Sequence, residues 1–68
     1  MERNILTKRE KEIFQLLIQN KTTKDISNIL QISTKTVRNH ISNTIQKLGT
    51  KNRTGAILEL IKMGIINI

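Results

Sequence analysis

A chain of 68 residues has room for one small domain, and its core is small enough to leave it only marginally stable. It has no Cys, which excludes disulfides and thiolate metal sites, and no Trp or Tyr and one Phe, which leaves no stacking platform for unpaired bases. The formal charge of +7 points to a polyanionic partner, and no apolar run reaches the ~18 residues of a membrane span or forms a signal peptide at the N-terminus, so a cytosolic protein is expected.

Met1 to Leu6 reads as a lead-in. Thr7 with Glu10 three residues on has the form of a capping box. A first helix is predicted from about Lys8 to Gln19. Glu10, Ile13, Phe14 and Leu17 share one side, flanked by Leu16 and Ile18, while Lys11, Glu12, Gln15 and Gln19 take the other. Asn20-Lys21 ends it, since Asn tolerates the left-handed conformation of a helix stop. Thr22 or Thr23 caps a second helix, with Asp25 placed in its first turn where a negative charge suits the helix dipole. Ile26, Ile29 and Leu30 are expected to point inward, and small Ser27 to sit where the next helix crosses. Gln31-Ile32-Ser33 is the turn, with Ile32 dipping into the core. The short helix, turn and longer helix over residues 22–48 have the form of a helix-turn-helix.

The third helix, capped by Ser33 and stopped by Gly49, carries the functional signal. At about 100° per residue, Val37, Ile41, Thr44, Ile45 and Leu48 gather on a core side. Lys35, Arg38, Asn39, Ser42, Asn43 and Gln46 gather on the other, with no acid and no large apolar residue among them. A merely solvated helix face usually mixes Glu with Lys. This face carries the side chains that read bases: Arg pairs with guanine edges, Asn and Gln with adenine edges, and Ser contacts base or phosphate. The five acids are Glu2, Glu10, Glu12, Asp25 and Glu59, so none lies between Ile26 and Leu58. That stretch holds Lys35, Arg38, Lys47, Lys51 and Arg53. Lys47, Lys51 and Arg53, around the end of the third helix and the following loop, are better placed for phosphates than for bases.

A fourth helix is predicted from about Asn52 or Arg53 to Met63, with Gly64 as its stop. Ala56, Ile57, Leu60, Met63 and Gly64 form one arc suited to the core. Leu58, Ile61 and Ile65 form a second, and only Gly55, Glu59 and Lys62 mark a polar side. So wide an apolar arc is not expected to stay exposed. Two readings account for it: a dimer seam made of two copies of this helix through Ile57, Leu58, Ile61 and Ile65, or a fold-back of the tail from Ile65 to Ile68 over the stripe. The dimer seam is preferred.

Several linked segments resemble the LuxR/GerE-type DNA-binding domain. They are Leu-Thr-Lys-Arg-Glu-Lys-Glu-Ile-Phe at the start of the first helix, Thr-Thr-Lys-Asp-Ile-Ser, Ile-Ser-Thr-Lys-Thr-Val-Arg-Asn-His-Ile, and Gln-Lys-Leu-Gly-Thr-Lys-Asn-Arg-Thr-Gly-Ala. The resemblance spans about Leu6 to Ile66. It implies an all-α fold of four helices in one domain over residues 1–68, with the third as reading helix and the fourth, about residues 53–64, as dimerisation helix. It implies base reading by Arg38 and Asn39, and by Ser42, where many members carry Lys. Thr34, Lys35 and Thr36 match positions near phosphates, and His40 matches the family's His in a packing or phosphate role. With Asn43, Gln46, Lys47, Lys51 and Arg53 they complete the expected backbone contacts. Ser27 replaces the usual Ala and Asn20 stands where Gly is common. Because the chain starts at Met1 with no room for a sensor domain, it resembles the stand-alone branch, which implies regulation of late sporulation and spore-coat genes.

The function expected is therefore a homodimeric, sequence-specific regulator of transcription that binds double-stranded DNA at promoters, with RNA polymerase as a further partner if it activates. A small adaptor or nonspecific nucleic-acid module using the apolar stripe of the fourth helix is the alternative, and it leaves the acid-free face unexplained. Binding of single-stranded RNA needs aromatic platforms the chain lacks. The single His, the missing Cys and the scattered acids give no catalytic set, metal site or cofactor site.

Overall fold

The structure, a computed structural model, describes residues 5–67; most of the lead-in, including Glu2, and the last tail residue, Ile68, lie outside them. Four helices follow in order: α1 (Lys8–Ile18), α2 (Thr23–Leu30), α3 (Thr34–Leu48) and α4 (Arg53–Lys62), with no strand among the described residues. None of the described helices is long and apolar enough to cross a membrane. The all-α class and the helix-turn-helix formed by α2 and α3 are as the sequence implied. The longest helix, α3, packs against each of the other three, so its position is fixed from three sides.

The helix ends follow from local chemistry. Thr7 and Glu10 close the capping box of α1: the Thr7 hydroxyl accepts from the Glu10 N–H at 3.1 Å, and the Glu10 carboxylate from the Thr7 N–H at 2.9 Å. Thr22 caps α2 in the same reciprocal way, because Asp25 is short enough to reach back to the Thr22 N–H at 3.0 Å. The sequence had marked Asp25 only for the helix dipole. Hydrogen bonding by Thr22, first through its backbone N–H, holds the exposed Asp25 carboxyl below the usual range. Ser33 caps α3 and Asn52 caps α4. Gly49 stops α3 at φ +68°. Asn20 and Gln31 adopt the same left-handed region without being glycine, at φ +68° and +56°. Gln31 is the pivot of the helix-turn-helix: the next N–H, of Ile32, donates to the Ser27 carbonyl, and the chain reverses into α3.

The core is built from Ile13 and Phe14 of α1, Ile26 of α2, Val37 of α3, and Ala56 and Leu60 of α4, all fully buried. Ile32, Ile45 and Leu48 pack against it, half-buried. Three inward assignments are corrected. Ile29 is 52% exposed. On a helix at about 100° per residue, Thr23, Ile26, Ser27 and Leu30 share one arc. The buried side of α2 has swung toward Ser27, which leaves Ile29 outside. Met63 is also exposed, at 46%, and Gly64 turns in solvent at φ +74°. The reason is the tail. After Gly64 the N–H groups of Ile65 and Ile66 return to the Leu60 carbonyl, at 3.0 and 3.4 Å, and Ile66 is wholly buried. Ile66 takes the end of the core that Met63 was expected to fill. The fold-back reading of the tail is thus realised for Ile65 and Ile66. It narrows the open stripe of α4: Ile57, Ile61 and Ile65 are half-buried against the core, while Leu58 stays 57% exposed.

Candidate nucleic-acid interface

The third helix has two chemically distinct sides, and the fold uses one of them for anchorage. Val37, Ile41 and Thr44 are buried. Thr44 satisfies its hydroxyl by donating to the His40 carbonyl at 2.9 Å, so a polar side chain is accommodated in the core without an orphaned group. On the opposite side Lys35, Arg38, Asn39, Ser42, Asn43 and Gln46 are all exposed. None of these six makes a side-chain hydrogen bond or ion pair with another of the described residues. A helix of 15 residues is about 22 Å long and 10–12 Å across, which fits a major groove about 12 Å wide.

Charge at the helix ends divides the four helices into two pairs. Both α1 and α2 place an acid in the first turn, whereas α3 and α4 place none there. Instead Lys35 stands in the first turn of α3 and Arg53 opens α4, both exposed. A cation beside the positive end of a helix is locally unfavourable, and an anion at that place relieves it. Thr34 and Thr36 flank Lys35, half-buried, and the Thr36 hydroxyl lies 2.9 Å from that of Ser33. Lys51 is exposed in the loop before α4. These residues lie in the stretch between Ile26 and Leu58 that has no carboxylate in sequence.

Lys47 departs from the pattern of a free phosphate-seeking cation. Its ammonium donates to the Glu10 carboxylate at 2.7 Å and to the Ile5 carbonyl at 3.2 Å. Glu10 is only 3% exposed. Burial pushes its carboxyl upward, but the hydrogen bonds from Lys47 and the Thr7 N–H and the Lys47 charge outweigh burial and hold it below the usual glutamate range. The ion pair ties α3 to the start of α1 across a sequence separation of 37 residues. Sequence reasoning missed it, although a carboxylate on the apolar side of a helix is itself a sign of a buried partner. His40 is half-buried beside it: Thr7, Glu10, His40, Asn43, Gln46 and Lys47 line one open cleft of about 580 Å³.

Comparison with known proteins agrees with this architecture. Residues 4–60 match the family of bacterial regulatory proteins, luxR family. The chain is 63% identical over 60 residues to the spore germination protein GerE of Bacillus subtilis (strain 168), covering 88% of this chain and 81% of that protein. The solved structure of the transcription factor GerE superposes with a TM-score of 0.93, covering 96% of this chain and 97% of that one. Longer relatives carry the same unit as a part. The chain is 43% identical over 65 residues to the transcriptional regulatory protein DegU of Brevibacillus brevis, covering 96% of this chain but 28% of that protein. It also superposes on VqmA of Vibrio cholera, solved as a ligand–DNA complex, with a TM-score of 0.85 at 26% identity, over 100% of this chain and 30% of that one. A carboxylate-free, outward-facing third helix held by the other three is thus set in a fold shared with proteins that regulate transcription, and the chain belongs to the luxR family of bacterial regulatory proteins.

Proposed function

We propose that this protein, acting as one domain over its whole length, binds promoter DNA as a cytoplasmic homodimer and regulates genes of late sporulation. The observation that carries the reading is the exposed face of α3, where six polar or basic side chains stand without a side-chain partner among the described residues. In this arrangement α3 lies in the major groove. Arg38 and Asn39 read base edges, and Ser42, one turn on, makes a shorter-range contact to base or phosphate. Thr34, Lys35 and Thr36 meet phosphates at the start of α3, Asn43, Gln46 and His40 along its flank, and Lys51 and Arg53 beyond its end. The sporulation assignment rests on the 63% identity to a protein named for spore germination. That VqmA was solved with DNA on the same fold supports the partner.

The dimer uses α4. Leu58 is the exposed apolar residue at the middle of that helix, with half-buried Ile57, Ile61 and Ile65 around it. Two copies joined there would present two α3 helices to half-sites about one helical turn, ~34 Å, apart. If the protein activates, RNA polymerase is its further partner.

Selection of bound duplexes from a random pool, with the mass of the complex recorded, tests the proposal. A recovered motif carried by two protein copies is the expected result. Salt-sensitive binding without any motif would remove base reading by Arg38 and Asn39 and leave a nonspecific or partner-directed role.

A further inference from the structure

The Glu10–Lys47 pair lies at the edge of the surface assigned to DNA, and its geometry does more than join two helices. A lysine ammonium has three N–H donors. Two are committed, to Glu10 and to the Ile5 carbonyl. No other described residue takes the third, on a side chain that is 37% exposed, whereas the carboxylate is 3% exposed. The positive member of the pair is therefore the one nearer solvent. It stands in the open cleft lined also by Thr7, His40, Asn43 and Gln46. Asn43 and Gln46 belong to the exposed face of α3, so the cleft borders the surface that would enter the groove.

Resting on the DNA-binding reading, we propose that Glu10 is a positioning residue for DNA: by fixing the Lys47 ammonium it builds a seat for one backbone phosphate of the strand bordering the groove that α3 enters. A free lysine loses rotamer freedom when it meets a phosphate. Here that freedom is already lost on folding, because the ammonium is held at two points. The amides of Asn43 and Gln46 and the imidazole of His40 supply further donors around the same cleft. The carboxylate lies beneath, so the phosphate meets the positive end of the pair. Contacts of this kind set register and carry no sequence information.

The assignment makes a prediction opposite in sign to simple charge counting. Replacing Glu10 by Gln raises the formal charge from +7 to +8, since one acid is removed, and by charge alone tightens DNA binding. If Glu10 positions Lys47, Glu10→Gln weakens binding several-fold. The experiment is a salt titration of binding to one duplex, from 50 to 200 mM, for the full chain and for Glu10→Gln and Lys47→Met. Thermal unfolding of each variant establishes that it is folded at the assay temperature. The expected result for Lys47→Met is weaker binding to specific and random duplexes alike, with the slope of log affinity against log salt shallower by about 0.9 per bound protomer. Should Lys47→Met not fold with an unpaired Glu10, the Glu10→Gln/Lys47→Met double variant, a neutral pair of similar shape, carries the same slope prediction. Tighter binding by Glu10→Gln, or an unchanged slope when Lys47 is lost, overturns the assignment and leaves the pair a clamp of the fold. Absence of any salt-dependent duplex binding by the unaltered protein would instead refute the DNA-binding reading itself.

Discussion

Stability toward acid tests the same ion pair without any DNA. Glu10 is buried, accepts from Lys47 at 2.7 Å and from the Thr7 N–H at 2.9 Å, and its carboxyl is held below the usual range. A group whose folded value is lowered binds fewer protons in the folded state than in the unfolded one. Its contribution is therefore present above the unfolded value of about 4.3 and is lost as pH falls through the folded value. A hydrogen bond to a charged group contributes about 1.5–3 kcal/mol. The partner Lys47 is partly exposed, and screening by solvent brings the expected worth of the charge down to about 1 kcal/mol. Glu10→Gln keeps the size of the side chain and an oxygen to accept from Thr7, and removes only the charge. At pH 7 it should destabilise the protein by about 1 kcal/mol, or about 4–8 °C in Tm for a domain of this size. At pH 3 the difference should have largely vanished. Urea unfolding followed by helical circular dichroism at both values measures it. Asp25 also has a lowered carboxyl and adds acid lability to both proteins, so the informative quantity is the gap between them. A gap that stays constant from pH 7 to pH 3 would refute the electrostatic account and leave only a packing role for Glu10.

Other residues give sharper local tests. Gln31→Gly should stabilise the fold by about 0.5–1 kcal/mol, because Gln31 holds φ +56° with an exposed side chain and glycine adopts that conformation without a Cβ penalty; chemical denaturation reads the change. Gly49→Ala should cost about 1 kcal/mol from backbone strain alone, since an added Cβ meets nothing within 4 Å, so a loss several times larger in the same assay would mean that the end of α3 packs more tightly than described. Arg38→Ala should lose roughly 1–3 kcal/mol of preference at one base position while sparing random duplex; competition binding against single-base variants measures it, and equal weakening on all sequences would make Arg38 a phosphate contact. Leu58→Glu, at the exposed centre of α4, should shift a dimer toward monomer in sedimentation with Tm little changed. An unaltered dimer would place the seam elsewhere.

The parts of this fold that were legible in sequence are those where one residue type answers one local need. Thr7 with Glu10, Ser33 and Gly49 mark helix ends because hydroxyls satisfy free N–H groups and glycine takes positive φ, and each does so in the structure. The faces of α3 were legible for the same reason: fifteen helical residues with a steady period leave little choice of inward side. Legibility fails where the answer depends on packing between distant segments. In the eight residues of α2 the burial of small Ser27 was expected, but no local pattern says that Ile29, unlike Ile26, is left outside when α2 packs on α3. Likewise, no local pattern says that Ile66 rather than Met63 completes the core, since that follows from the chain's reversal at Gly64. Glu10 joins both cases. Its capping role is local and readable, while its ion pair with Lys47 is long-range and was hidden behind the assumption that a lysine near the end of a reading helix is free. The same side chain that closes the first turn of α1 therefore decides whether that lysine is a loose cation or a fixed one. In a domain this small one carboxylate can serve the helix end, the α1–α3 contact and the edge of the proposed DNA surface together, so the consequences of Glu10→Gln for stability and for binding must be measured on the same protein to be told apart.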